Sequence, residues 1–171
     1  LPPPQMDEEY VEYVSARLPS LKRLAYQLCG DDHRADDLVQ ESITKLYTRW
    51  SSARKADNLD RYVRTIVVRT HIDETRRPWS RVRLFGAPPE KEEATSSGTE
   101  DRAVLRAALA TLPPGQRAVL VLRFICDMSV EEVGQLLGCT PGTVKSQTAH
   151  GLGKLRQSLT KRDFAMTMKG N

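Results

Sequence analysis

An all-α protein of two small helical domains joined by a flexible linker is the fold class that this sequence predicts, from three observations. Apolar residues recur at three- and four-residue steps along most of the chain, the period of helices that bury one face, and no strand pattern of comparable strength appears. From Arg81 to Glu100 that pattern stops: Gly86, Pro88, Pro89, a KEE cluster and the run ATSSGT (Ala94 to Thr99) leave few large apolar residues, which reads as a mobile linker. The stretch Met128 to Leu155 then reads as two short helices hinged on a tight turn. The domains are accordingly placed at residues 6–80 and 102–162, with the linker at 81–101 and a tail at 163–171.

In chain order, Tyr10, Val11, Val14, Leu18, Leu21, Leu24, Ala25 and Leu28 follow helical spacing after a proline-rich start. Pro19 is expected to bend or break these segments and Gly30 to stop them. A second helix is expected from about Arg34, with Leu38, Val39, Ile43, Leu46, Tyr47 and Trp50 as its apolar stripe. Asp31, Asp32, Asp36, Asp37 and Glu41 crowd its start, where the helix dipole favours carboxylates; periodicity alone reads them as a capped, solvated end. Ser51 to Asn58 holds no apolar residue larger than alanine and reads as a loop. A third helix, from about Leu59 to Arg76, packs through Tyr62, Val63, Ile66, Val67 and Ile72. Arg61, Arg64, Arg69, Arg76 and Arg77 give it a basic surface, tempered by Asp60, Asp73 and Glu74, and Pro78 ends it.

In the second half, Ala103, Leu105, Ala108, Leu109 and Leu112 form a short amphipathic helix ended by Pro113 and Pro114. Gln116 to Phe124 forms another, with Val119, Leu120, Leu122 and Phe124 expected inward. Ser129 with Glu132 has capping-box spacing, followed by Val130, Val133, Leu136 and Leu137 on one face. Gly138 suits a left-handed C-cap, and Thr140 then Pro141 supply an N-cap and first-turn proline for the last helix. At about 100° per residue, Val144, Thr148, Leu152 and Leu155 share one side of that helix. Thr143, Ser146, Gln147, His150 and Gln157 project from the other. No Asp or Glu occurs between Cys139 and Arg162, whereas Lys145, Lys154, Arg156, Lys161 and Arg162 do. Such a helix can neutralise phosphates with its cations and read base edges with its polar side chains. The same pattern also describes a plain helix pair with a solvated basic face.

Composition sets the wider frame. The 171 residues carry a net charge of +4, so the basic character is a matter of placement rather than total. Cys29, Cys126 and Cys139 are odd in number and lack CxxC spacing, which argues against a disulfide framework or zinc site. No apolar run approaches a membrane span, and the LPPPQ start lacks the parts of a signal peptide, so a soluble cytoplasmic protein is expected.

The segment ADDLVQESITKLY (Ala35 to Tyr47), the helix RYVRTIVVRTHIDETRR (Arg61 to Arg77) and LATLPPGQRAVLVLRFICDMSVEEVGQLLGCTPGTVKSQTAHGLGKLR (Leu109 to Arg156) resemble bacterial extracytoplasmic-function sigma factors, in the expected order. The flavour is that of the actinobacterial SigE-like branch. The resemblance implies a sigma-2-like domain, a linker that threads through polymerase, and a sigma-4-like helix-turn-helix domain. Asp37, Gln40 and Glu41 match the family's DLVQE segment, which implies docking on the clamp helices of the polymerase largest subunit; the flap is a further implied contact. On that resemblance the acidic helix is more than a solvated end. The loop Ser51 to Asn58 and the helix after it match the parts that capture an unpaired base of the −10 element, so Asn58, Arg61, Tyr62, Arg64, Arg69, Arg76 and Arg77 are candidates there. Tyr62 is open to two readings, a stacking platform or a core tyrosine. Arg69 stands where many relatives have Asn, which leaves the −10 preference open. Thr143, Lys145, Ser146, Gln147, His150 and Lys154 are the −35 candidates. Gln147 stands where many relatives carry Arg, which permits an adenine contact. Promoter DNA, core RNA polymerase and an anti-sigma factor are the implied partners.

Two rival functions remain in view: a DNA-binding regulator that never touches polymerase, and a nucleic-acid enzyme targeted by this helix-turn-helix. The second needs a nucleophile with a base or a metal cluster, yet His33, His71 and His150 are scattered without ligand spacing. No cofactor or metal is expected.

Overall fold

The computed structural model describes residues 7–75 and 100–169 and divides into two compact units, one within 1–91 and the other within 92–171. The described residues are helical wherever they are regular. The linker expectation, Arg76, Arg77 and the Pro78 stop lie outside the described residues.

The first unit is built by α1 (Glu8–Cys29), α2 (Asp32–Thr48), the short α3 (Trp50–Ala53) and α4 (Leu59–Thr75). Asp7 caps α1 by accepting from Glu9 N at 3.0 Å, and Gly30, at φ 70°, closes it. Of the two outcomes expected at Pro19, a break does not occur: α1 continues through it. A proline removes one N–H from the ladder, whereas Tyr10, Leu21, Leu24 and Leu28 continue a single buried stripe across it. Burial of that stripe outweighs one missing rung. The second helix starts at Asp32, before Arg34, because Asp31 accepts from Arg34 N at 2.9 Å. Part of the expected loop is helical: Trp50 is buried and draws Ser51 to Ala53 into α3.

Leu24 and Leu28 of α1, Leu38, Val39 and Leu46 of α2, and Val63, Ile66 and Val67 of α4 form the core, with α2 packed against both α1 and α4. Tyr10 meets the edges of Tyr47 and Trp50 at centroid distances of 5.0 and 5.5 Å, and its hydroxyl donates to Ile43 O at 2.7 Å. Tyr13 donates to Asp60 Oδ1 at 2.8 Å while Arg17 lies 3.0 Å from Asp60 Oδ2, so α1 holds the start of α4. Burial, followed by the bonded Asp60 carboxylate, pushes the Tyr13 phenol well above its usual range; Arg17 opposes the shift.

The second unit contains α5 (Glu100–Ala110), α6 (Pro114–Leu120), a π-helical turn (Val121–Ile125), α7 (Val130–Leu137) and α8 (Pro141–Lys169). Only part of the expected α5 stripe is inward: Ala108, Leu109 and Leu112 are buried, whereas Ala103 and Leu105 are exposed. Arg117 explains the tight α5–α6 corner. Its guanidinium donates to Leu109 O at 3.0 Å, Ala110 O at 3.3 Å and Leu112 O at 3.2 Å, tying together carbonyls at and just beyond the end of α5. The expected single helix from Gln116 to Phe124 is corrected by the π turn. Its wider winding adds a residue, so Val121 and Leu122 face the core while Phe124 turns outward, 59% exposed. Arg123 lies over the Phe124 ring at 5.9 Å.

The capping box forms as its spacing predicts: Glu132 N donates to Ser129 Oγ at 3.1 Å and Ser129 N to Glu132 Oε2 at 2.7 Å. Gly138 adopts φ 69° at the end of α7. Leu152 and Leu155 of α8 pack against the core of Leu109, Leu112 and Leu120. The last helix runs on to Lys169, so residues 163–169 extend α8 rather than forming a separate tail.

Candidate nucleic-acid interface

The first candidate surface is a groove of about 680 Å³ between α2, the turn after α3, and α4. Asn58 begins α4, where its Oδ1 accepts from Arg61 N at 2.9 Å. From there Arg61, Tyr62, Thr65, Ile66, Arg69 and Asp73 succeed one another along one face of α4 and line the groove. Tyr62 is half-buried in that wall rather than sealed in the core. The structure therefore gathers Asn58, Arg61, Tyr62 and Arg69, but not Arg64, which is exposed and outside the groove lining. Helix geometry gives the reason: at about 100° per residue, Arg64 points roughly 140° away from Arg69.

Two cations in this wall are absent from the sequence reading. Lys45 and Arg49 enter from α2 and its C-cap. Lys45 Nζ lies 2.9 Å from Glu41 Oε1 and donates to Thr70 Oγ1 at 3.3 Å. Against four cations the groove sets two carboxylates, Asp57 and Asp73, so it is net basic. A net-basic concavity with an aromatic side chain in its wall has the chemistry to take an unstacked base and its phosphates.

Asp37 and Gln40 are exposed and Glu41 half-exposed along one face of α2, as offsets of three and four residues require. The neighbouring Asp36 pairs instead with Lys22 at 3.5 Å.

On α8 the start is fixed by Thr140, whose Oγ1 accepts from Thr143 N at 3.2 Å. Val144 is fully buried against α7, which leaves Thr143, Ser146 and His150 exposed and Gln147 half-exposed on the opposite side. Lys154 continues that stripe, whereas Lys145 is exposed off it, about 100° of helix rotation from Ser146 and about 140° or more from the other members. Five of the six candidate side chains thus share one stripe, and Lys145 lies off it. Gly134 permits the sharp turn between α7 and α8: a Cβ there would sit 2.8 Å from Cys139 O. The sequence reading passed over it, since a glycine inside a helix carries no local sign of what approaches it.

Residues 13–81 match the family model described as Sigma-70 region 2, and residues 102–155 the model described as Sigma-70, region 4. The RNA polymerase sigma-E factor of Streptomyces coelicolor is 38% identical over 162 residues, spanning 91% of this chain and 89% of that protein. The chain belongs to the extracytoplasmic-function sigma factors. RNA polymerase sigma factor SigV of Bacillus subtilis, 32% identical, spans 84% of this sigma factor and 86% of its own length. A solved structure, the sigma factor RpoE with the anti-sigma factor NepR from Bartonella quintana, shares the fold at a TM-score of 0.67. It is 23% identical and covers 90% of this chain and 98% of that one. In this sigma factor the groove and the α2 face of Asp37, Gln40 and Glu41 fall inside the region 2 match, and the α8 stripe falls inside the region 4 match.

Proposed function

We propose that this sigma factor docks on the clamp helices of core RNA polymerase through Asp37, Gln40 and Glu41, with region 4 contacting the flap. The groove lined by Asn58, Arg61, Tyr62 and Arg69 takes an unpaired base of the −10 box, and Arg64, Arg76 and Arg77 contact nearby phosphates. Thr143, Ser146, Gln147 and His150 read the −35 box, with Lys145 and Lys154 on its phosphates. The protein has no catalytic site of its own and works in the cytoplasm as the specificity subunit of the polymerase. An anti-sigma factor that covers the docking surfaces holds it inactive.

The observation that carries the reading is the groove, because it brings polar, aromatic and basic side chains from two helices to one concavity of about 680 Å³. Extruding a base costs a few kcal/mol, which stacking and pairing in such a site offset. In vitro transcription with core polymerase on a pool of randomised promoters tests it. The expected products start at fixed distances from two selected boxes. Products that start without sequence selection refute the proposal, and a Glu41→Arg variant retained by core polymerase as well as wild type refutes the docking surface.

A further inference from the structure

We infer that Lys45 is a strand-contacting cation of the groove whose charge is held by Glu41 until a partner engages the docking stripe. This rests on the reading of groove and stripe given above. Lys45 stands on the groove wall, yet its ammonium is committed to Glu41 Oε1 at 2.9 Å and Thr70 Oγ1 at 3.3 Å. Glu41 in turn lies one helical turn before Lys45, at the edge of the stripe that holds Asp37 and Gln40. One ammonium therefore spans both surfaces. The side chains of the pair keep 36% and 38% of their surface exposed, so the contact is exchangeable rather than locked in the core.

Arg49 and Arg69 differ, since they line the same groove with no ion pair among the described residues. Their charge is available whether or not α2 is docked. When a basic surface takes the Glu41 carboxylate, Lys45 loses its nearest counter-charge, and a strand phosphate within the groove becomes its better partner. Thr70, buried beneath it, keeps the amine directed at the groove. Docking and strand capture are then linked, and linkage is reciprocal: a bound strand strengthens docking by the factor that docking strengthens strand binding.

Fluorescence anisotropy of the full chain with a short labelled single-stranded DNA of mixed sequence, over a salt series, tests this. Glu41→Gln is expected to tighten strand binding about threefold, the scale of a half-exposed ion pair. It also steepens the log–log salt slope by about 0.7, one further single-strand phosphate. Both changes vanish in a Lys45→Met background and persist with Lys45→Arg. Asp36→Asn, the same charge change on α2 beside Lys22, leaves binding as in wild type. Tightening that survives Lys45→Met, or that Asp36→Asn reproduces, is a general charge effect and overturns the inference. If Arg49→Ala with Arg69→Ala leaves strand binding unchanged, the groove reading falls and the inference with it. If that pair abolishes binding while Glu41→Gln changes nothing, the inference alone falls.

Discussion

Replacing Gly134 by alanine should destabilise the second unit, although alanine is the better helix former by about 1 kcal/mol. The added Cβ would lie 2.8 Å from Cys139 O and 3.7 Å from Val144 Cγ2, where ordinary contact begins at 3.4 Å. The oxygen must retreat by 0.6 Å, the difference between those first and last distances. It has little room to do so. Cys139 N donates back to Gly134 O at 2.9 Å, and Gly138 at φ 69° and the Thr140 cap fix the chain on its far side. Overpacking of this kind costs about 1–3 kcal/mol, so the clash outweighs the propensity gain. Gly153 is the internal control, because nothing lies within 4 Å of a Cβ placed there. Gly153→Ala should stabilise by up to about 1 kcal/mol. Hydrogen exchange of the Val144 amide, which donates to Thr140 O at 3.1 Å, reports on this unit even where the two units unfold separately. Faster exchange with Gly134→Ala and equal or slower exchange with Gly153→Ala is expected. Shifts of the same sign for both would refute the reasoning.

Three further outcomes follow from named contacts. Ser129→Ala removes the hydroxyl half of the capping box and should cost about 1 kcal/mol in the same exchange measurement. Tyr13→Phe should remove a loss of stability at alkaline pH: because the folded phenol titrates above its unfolded value, its contribution is complete below about pH 10 and falls as pH rises beyond that. Urea midpoints that fall equally for wild type and variant above pH 10 would count against the Tyr13–Asp60 contact. Lys154→Ala should weaken binding to all −35 sequences alike and lower the salt slope by about 0.9, whereas Gln147→Ala should cost about 1–3 kcal/mol against its preferred base and little elsewhere.

Features written in adjacent residues were legible in the sequence. Ser129 with Glu132, Gly138, and Thr140 with Pro141 each specify a helix end through contacts no more than four residues apart, and each formed. Asn58, Arg61, Tyr62 and Arg69 share a helix face by spacing alone. Features decided by packing were not legible. Pro19 obeys a local rule against helix interiors, but a buried stripe on both sides of it overrides that rule. The run VLRFI is apolar at every position except Arg123, so periodicity cannot tell an α turn from a π turn. The choice is made by which residues the core admits, and Phe124 is left outside. Lys45 and Arg49 join the groove from another helix, a pairing no period within either helix reveals.

On the proposed reading the two DNA-contacting surfaces are each modest and belong to separate units, which predicts how their substitutions combine. The groove is concave and net basic and would take an extruded base; the α8 stripe is convex and would enter a duplex groove. Each offers a handful of cations, so each alone binds weakly at physiological salt. Holding both sites at a spacing set by polymerase turns the second contact into an intramolecular one, and the affinities multiply. Arg69 and Lys154 belong to different units and share no partner among the described residues, so Arg69→Ala and Lys154→Ala should lower promoter binding by holoenzyme additively in free energy, within about 0.5 kcal/mol. Glu41 and Lys45 share one ion pair, and their substitutions should depart from additivity by more than that margin. A double-mutant cycle on open-complex formation distinguishes the cases. Coupling between Arg69 and Lys154 as large as that between Glu41 and Lys45 would mean that the two surfaces are not independent readers.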